Sequence, residues 1–497
     1  MPLPSTRFGR HAVAAFALVI VISAGLLYHN FFAVEPPQWK GLTEKLTEQK
    51  THAKFHPARP SRMEFIAKAH DTDVSGPFNG TAIRALCANT TWVPDRVFTC
   101  DKSRGGIGNV RNMILSCVRY AIEAGAGLVV PQIVLRDGDN IAVLETEVYQ
   151  PLGHFFDEEW FVESLHSSCP QMNLYDRIDM GAEEDSDTDE SPPKGEIRTT
   201  VKLRNRKRDI SDDKEAYTKV IPLSPKALFV GYQHYRINGH PETWRQTLEG
   251  WIAQQTPPAE GNSSATNSES DIIIDIHGVE PIPLFDWPVN YDPQPFVDSF
   301  GQILRIREDI RNLAAAALYE LSETFDLNLD PAEAPMKDAF FGAHLRTEGD
   351  AVGWISWDTQ TDYYLESAGW AGLSILYVAS GQPEHVAKFR EKATKKRHFA
   401  VVQKTELLSD HERWYLGTLS WDQQALVDYL IMEKASKFAG IAQSSFAWQI
   451  AFSRHLKSQM KGNDHLRLDG ALMLGDELSQ IVGLLPTLDF FHYSVWP

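Results

Sequence analysis

Phe340-Phe341-Gly342-Ala343-His344-Leu345-Arg346-Thr347-Glu348-Gly349-Asp350 decides how this chain is read. An apolar run of strand length ends in a histidine, an arginine and two acids, and Gly349 supplies a turn signal. Open α/β sheets place ligands beyond the carboxyl ends of their strands, so a buried strand with a basic, hydrogen-bonding tip marks a site. A buried guanidinium needs an anion, and Arg346 can clamp a phosphate with two parallel hydrogen bonds. His344 lies one alternation away on the same face. The same residues also allow Arg346 to pair with Glu348 or Asp350, and His344 to be a satisfied core histidine.

Downstream of this stretch the pattern is regular. A helix around 362–370 leads to the strand 373–378, the turn Ala379-Ser380-Gly381-Gln382-Pro383 opens a helix, and 398–402 is the next strand. A helix over 422–435 and a strand over 437–441 follow, and Gln443-Ser444-Ser445-Phe446 opens a helix to His455. Strands alternating with helices of this length predict a parallel sheet covered on both faces. Trp354 and Trp357, between the organising strand and the first of these helices, read either as a stacking wall for an acceptor or as apolar lid residues.

Upstream, Arg96 to Cys100 reads as a strand running into Ser103-Arg104-Gly105-Gly106-Ile107-Gly108-Asn109. A helix follows, because Val110, Met113, Ile114, Cys117, Val118, Ala121 and Ile122 repeat at the 3.6-residue period. Strand, glycine loop, helix and a second strand at Leu128-Val129-Val130 make half of a nucleotide-binding unit, in which glycines let the backbone approach a ligand and the helix N-terminus favours anions. A plain tight turn fits the glycines as well. Residues 227–231 and 271–275 read as further strands, and 299–325 as a helical region bridging two halves. Two polar stretches, 179–213 with acidic and then basic blocks and 254–270 rich in Pro, Gly, Ser and Asn, read as disordered insertions or surface loops.

The chain has 497 residues, room for two or three domains, and a formal charge of −18 that argues against a nucleic-acid partner. Residues 12–34 are almost wholly apolar and follow Arg7, Arg10 and His11. They predict a signal anchor with a cytoplasmic tail over 1–11 and everything later on the lumenal side. A cleaved signal peptide is the competing reading, since Ser23-Ala24-Gly25 lies inside the run. Residues 35–80, polar and broken by prolines, read as a stem, with the folded head beginning near Ala82. The acceptor triplets at Asn79, Asn89 and Asn262 agree with a Golgi or endoplasmic reticulum lumen. So do the four cysteines, Cys87, Cys100, Cys117 and Cys169, as disulfides, with Cys87–Cys100 the local pair.

Together these stretches resemble the GDP-fucose protein O-fucosyltransferase superfamily. The resemblance rests on Arg104 to Asn109 with its helix, Phe341 to Arg346, Leu376 to Pro383, and Phe438-Ala439-Gly440-Ile441-Ala442-Gln443-Ser444-Ser445-Phe446-Ala447-Trp448. It implies an inverting GT-B glycosyltransferase: two Rossmann-like domains, here over 81–325 and 326–497, with GDP-fucose in the cleft between them and held mostly by the second. It further implies Arg346 on the β-phosphate, and His344, Ser444, Ser445 and the Phe446 amide on the donor. Gly106, Gly108 and Asn109 would approach from the first domain. No metal is implied, because arginine and helix N-termini supply the same electrostatic stabilisation. The acceptor is a hydroxyl of a protein or glycan. Glu348 and Asp350 are the candidate bases, with Glu348 favoured, although alternation puts it where it could equally be the structural partner of Arg346.

Overall fold

The computed structural model describes residues 59–70, 78–94, 96–99, 103–138, 140–143, 146, 148–178, 241–255, 287–457 and 494–497. It also describes short stretches at 202–205, 219–222, 232–233, 236–237, 272–275, 473–475 and 477–483. The predicted tail and anchor, the stem as far as 58, the strand at 227–231, Cys100, Asn262 and most of 179–213 and 254–270 lie outside the described residues. No described helix is long and apolar enough to cross a membrane.

Helices α1 (Arg62–His70) and α2 (Thr81–Asn89) lead to β1 (Arg96–Thr99), α3 (Ile107–Ala124) and β2 (Gly127–Val129). A hairpin of β3 (Gln132–Val134) and β4 (Tyr149–Pro151) is followed by α4 (Glu158–Ser168), β5 (Leu174–Ile178), β6 (Lys202–Asn205) and β7 (Lys219–Pro222). Next come the short ladder of β8 (Tyr232–Gln233) and β9 (Arg236–Ile237), α5 (Pro241–Gln255), β10 (Ile272–Asp275), α6 (Gln294–Phe300) and α7 (Glu308–Thr324). The first sheet has the order β6-β5-β2-β1-β10-β7 and is parallel except at β5–β6.

The second begins with β11 (Phe341–His344), α8 (Trp357–Trp370), β12 (Ile375–Ala379), α9 (Pro383–Arg397) and β13 (Ala400–Val402). It continues through α10 (Lys404–Leu407), α11 (Asp410–Thr418), α12 (Trp421–Lys434), β14 (Lys437–Ile441), α13 (Ser445–Lys457), β15 (Met473–Gly475) and β16 (Ser479–Val482). Its order is β13-β12-β11-β14-β16-β15, parallel except at β15–β16. Residues 60–497 form one compact unit, in which α3 packs on α13, and α7 on α12 and α1.

Local chemistry explains why the site-bearing helices begin and end where they do. Helix α3 is apolar or buried on nearly every face, as a helix squeezed between other elements must be. It stops at Gly125, whose φ of 64° is left-handed and whose N–H bonds the carbonyls of Ala121 and Ile122. A side chain there would start 2.0 Å from the Thr91 carbonyl oxygen, so only glycine fits. Helix α12 begins with a capping box: Ser420 accepts from the Gln423 amide and Gln423 reaches back to the Ser420 amide.

The structure corrects several expectations. The folded unit starts well before Ala82, because α1 buries Phe65 and Ala69 against α7 within the supposed stem. The supposed insertion over 179–213 contributes β6 to the edge of the first sheet. The bridging region is two helices, α6 and α7, separated by a 3-10 turn over Gly301–Ile303 and by residues 304–307; a side chain at Gly301 would start 2.1 Å from the Pro497 carbonyl oxygen. That contact arises because 494–497 returns to the first half: Trp496 is buried beside Phe296 and Phe300, and Asn112 bonds Ser494 and Trp496 backbone. Trp357 is the first residue of α8 and donates to the His385 carbonyl rather than walling the cleft, which Trp354 does. Asn79 and Asn89 are both exposed.

The cysteine pairing differs too. Cys87 bonds Cys169, not Cys100, because α2 and α4 pack side by side and bring the two Cα atoms to 5.5 Å across 82 residues of chain. Cys117 is also in a disulfide. Nearness in sequence does not select a pair when two helices supply the geometry. A loop of this length should make Cys87→Ala/Cys169→Ala less stable by about 2–4 kcal/mol, read as a shift of the denaturant midpoint under oxidising conditions. An unchanged midpoint would contradict the pairing.

Candidate active site

Topology places the site. From β11 the chain runs to β12 and β13 on one side and returns to β14 on the other, so the ends of β11 and β14 diverge into a crevice. In the first sheet β1 is flanked in the same way by β2 and β10. The two crevices open on one cleft of about 840 Å³, lined by Gly106 to Asn109, Arg136, the β11 tip, Ser380-Gly381, the start of α12 and Gln443 to Phe446. A second cavity of about 540 Å³, around Trp160 and Met172, shares no lining residue with it.

Two helix N-termini converge in the cleft. A side chain at Gly108 would start 2.6 Å from both the Phe446 amide nitrogen and Ser445 Oγ, so glycine is what lets α3 and α13 touch end to end. Across this contact Ser445 Oγ donates to Asn109 Oδ1 at 2.6 Å, and Gln449 Nε2 donates to the Gly108 carbonyl at 2.9 Å. Ser444 caps α13 by accepting from the Ala447 amide. Such termini carry unpaired N–H groups and the positive ends of helix dipoles, and together they suit an anion.

The tip of β11 supplies the charge. The Arg346 backbone is clamped by the buried Gln360 amide, which accepts from its N–H at 3.0 Å and donates to its carbonyl at 2.9 Å. Its guanidinium donates from Nη1 to Glu348 Oε2 and from Nη2 to Asp350 Oδ2, each at 2.5 Å, with Trp354 5.5 Å from its centre. Glu348 is fully engaged: it also accepts from the Thr347 and Gly381 amides at 2.9 and 2.6 Å. Burial pushes its pKa up, but Arg346 and the Gly381 amide outweigh this and hold the carboxyl below the usual range. Asp350 is less saturated, since its Oδ1 is buried without a hydrogen-bond partner.

His344 is buried, its ring 4.7 Å from that of Phe446, and its Nδ1 has no partner. Burial pushes its pKa down to about 4, against the pull of Glu348 and with the help of Arg346. The imidazole is therefore neutral at physiological pH, in a residue that lines the cleft and whose Nδ1 is buried. The unfolded chain takes up this proton near pH 6.5 and the folded one near 4. This site therefore lowers stability as pH falls through that window, by about 1.4 kcal/mol per pH unit. His344→Gln should flatten that part of the stability profile; a profile identical to that of the parent would contradict it.

Reasoning from sequence missed Arg136 and Asp422. Arg136 extends from the β3–β4 hairpin across the cleft to α12, donating to Asp422 from Nε at 2.8 Å and Nη2 at 2.5 Å, and lies 4.5 Å over the Trp421 ring. A hairpin signal was present, since an apolar run precedes Asp137-Gly138. Its direction across the cleft left no trace. Desolvation raises the Asp422 pKa against the pull of Arg136. Of the residues singled out in the sequence, Gly106, Gly108, Asn109, His344, Arg346, Glu348, Asp350, Ser444, Ser445 and Phe446 all line this cleft. Among the described residues, no group of three or more His, Cys, Asp or Glu side chains is arranged to hold a metal ion.

The sequence profile described as GDP-fucose protein O-fucosyltransferase matches residues 97–457, which contain both crevices and every side chain of the cleft named above. The chain belongs to this family. It is accordingly a fucosyltransferase, with GDP-fucose as its donor. No curated protein sequence matches it significantly. Among solved structures it is similar to POFUT1 in complex with GDP-fucose, at 13% identity over 78% of this chain and 98% of that one, TM-score 0.39. It is also similar to fucosyltransferase NodZ from Bradyrhizobium, at 13% identity over 72% and 91% of the two chains, TM-score 0.32. A mutant of Arabidopsis thaliana FUT1 in complex with GDP matches at 13% identity over 80% and 78%, TM-score 0.34.

Proposed function

We propose that this O-fucosyltransferase is an inverting, metal-independent enzyme of GT-B type that transfers fucose to a hydroxyl of a protein or glycan acceptor. One observation carries the reading: the Arg346 guanidinium and the N-termini of α3 and α13 line the same cleft. Rupture of the bond between the anomeric carbon and the β-phosphate leaves an electron pair on GDP. Arg346 and the first-turn amides of α13, Phe446 included, are preorganised donors for that charge. The acceptor oxygen then bonds the anomeric carbon from the opposite face and loses its proton. Glu348 is unsuited to take it, being saturated by four donors and held ionised. Asp350, with Oδ1 unpartnered, is the better base. The neutral His344 is suited to hydrogen-bond the nucleotide. The apolar segment 12–34, the exposed Asn79 and Asn89, and the Cys87–Cys169 bond support an anchored enzyme of the Golgi or endoplasmic reticulum lumen.

The test is a thermal-shift and calorimetry panel on the full chain with GDP, GDP-fucose, GDP-mannose and UDP-sugars, with and without EDTA. Guanine nucleotides at about 100 times their dissociation constant should stabilise by roughly 2.7 kcal/mol, insensitive to EDTA. Stabilisation abolished by EDTA would overturn metal independence, and no response to GDP would overturn the donor site.

A further inference from the structure

The cleft has a charge problem. Among its described lining residues, Arg136, Arg346 and Lys404 face Glu348, Asp350, Asp422 and Asp428, while His344 is neutral. Lys404 is already spent on Asp428, which also accepts from the Tyr377 hydroxyl. Both outer nitrogens of Arg346 are on carboxylates. A diphosphate carrying at least two negative charges brings further negative charge to a cation already shared by two acids, and this repulsion drives one acid off; a displaced, buried carboxylate needs another cation nearby. Glu348 cannot be the one to leave, because the Thr347 and Gly381 amides hold it in place. Asp350 can, since its other oxygen has no partner and the Arg346 bond is its shortest tie.

The replacement cation is already positioned. Arg136 is fixed by two bonds to Asp422 and by the face of Trp421, and its side chain is only 6% exposed. Its remaining nitrogen, Nη1, stands 3.8 Å from Asp350 Oδ2, the very oxygen that Arg346 holds. We propose that Arg136 is a positioning residue that takes over Asp350 when Arg346 turns to the diphosphate of the donor. The exchange keeps Asp350 paired with a cation beside the reacting centre and keeps Arg346 free for the leaving group. It also couples the two halves to donor binding, since Arg136 belongs to the first and Asp350 and Asp422 to the second. The inference rests on the proposed contact of Arg346 with the donor.

The test is calorimetric titration of GDP into the full chain and its Arg136→Gln, Asp350→Asn and double variants. In Arg136→Gln, donor binding strands Asp350 without a cation, so affinity should be about tenfold weaker. In the double variant position 350 has no carboxylate to strand, while Asp422 has lost Arg136 with or without donor, and GDP affinity should return to within about threefold of Asp350→Asn, a coupling that independent sites lack. Equal losses from Arg136→Gln on both backgrounds would overturn the exchange and leave Arg136 a strut. If Arg136→Gln does not fold, Arg136→Lys, which keeps a cation but reaches one acid at a time, should show the same coupling to Asp350→Asn at smaller amplitude, and its absence there counts equally against the exchange. Failure of the parent protein to bind GDP, or undiminished binding by Arg346→Ala, would instead indict the donor contact.

Discussion

Arg346→Ala should lower kcat/KM by about 10³-fold or more, with GDP affinity falling alongside it. The magnitude follows from the role proposed for the guanidinium, as the charged donor for the pair of electrons that leaves with GDP. Removal of one such preorganised group typically lowers turnover by about 10²–10⁵-fold. The substitution also leaves Glu348 and Asp350 as facing carboxylates without the cation that separates them. Arg346→Lys keeps the charge but loses the planar fork, so it should recover stability without recovering turnover. Steady-state kinetics with a GDP-releasing assay, paired with GDP calorimetry, reads both effects. Turnover of Arg346→Ala within tenfold of the parent would remove Arg346 from the mechanism.

The two acids beyond Arg346 should separate cleanly when each is made neutral. Glu348→Gln removes the carboxylate that is tied at once to Arg346, Thr347 and Gly381. Breaking a buried ion pair from one side costs about 3–5 kcal/mol, so unfolding stability and GDP affinity should both fall. Because the folded-state pKa of Glu348 is depressed, its contribution is present above the unfolded carboxyl range and is lost as pH falls through the folded value. Glu348→Gln should therefore also lose part of the acid-side decline. Asp350→Asn should behave in the opposite way, keeping GDP affinity within about threefold while kcat falls by about 10²-fold or more, the usual contribution of a general base. The reverse pattern, with intact binding in Glu348→Gln and lost binding in Asp350→Asn, would exchange their assignments.

The legible part of this fold was carried by residues whose chemistry is local. The apolar run Phe340 to Ala343, of strand length and ended by polar residues, reads as a buried strand, and it lies at the centre of its sheet between β12 and β14. Gly105 to Gly108 before a 3.6-period helix, and Ser444-Ser445 before another, mark helix starts because glycine freedom and hydroxyl capping act within one turn. Short elements were illegible: β3, β4, β15 and β16 are three or four residues each, too short to show a period. The helical region 299–325 read as continuous because its apolar residues run on across the break, which falls at Leu304, where φ of −105° and ψ of 88° leave helical geometry.

By itself the sequence determined the alternation of strand and helix, the central strand with its histidine, arginine and acids, and the family to which these motifs belong. Each of these follows from side chains within a few positions of one another. Only the tertiary structure decided that Cys87 meets Cys169, that the ends of α3 and α13 touch through Gly108, that Glu348 is saturated while Asp350 is not, and that Arg136 crosses the cleft to Asp422. The physical reason is that hydrogen bonds, ion pairs and desolvation depend on which atoms meet in space. Packing of distant elements brings those atoms together, and no local spacing encodes it.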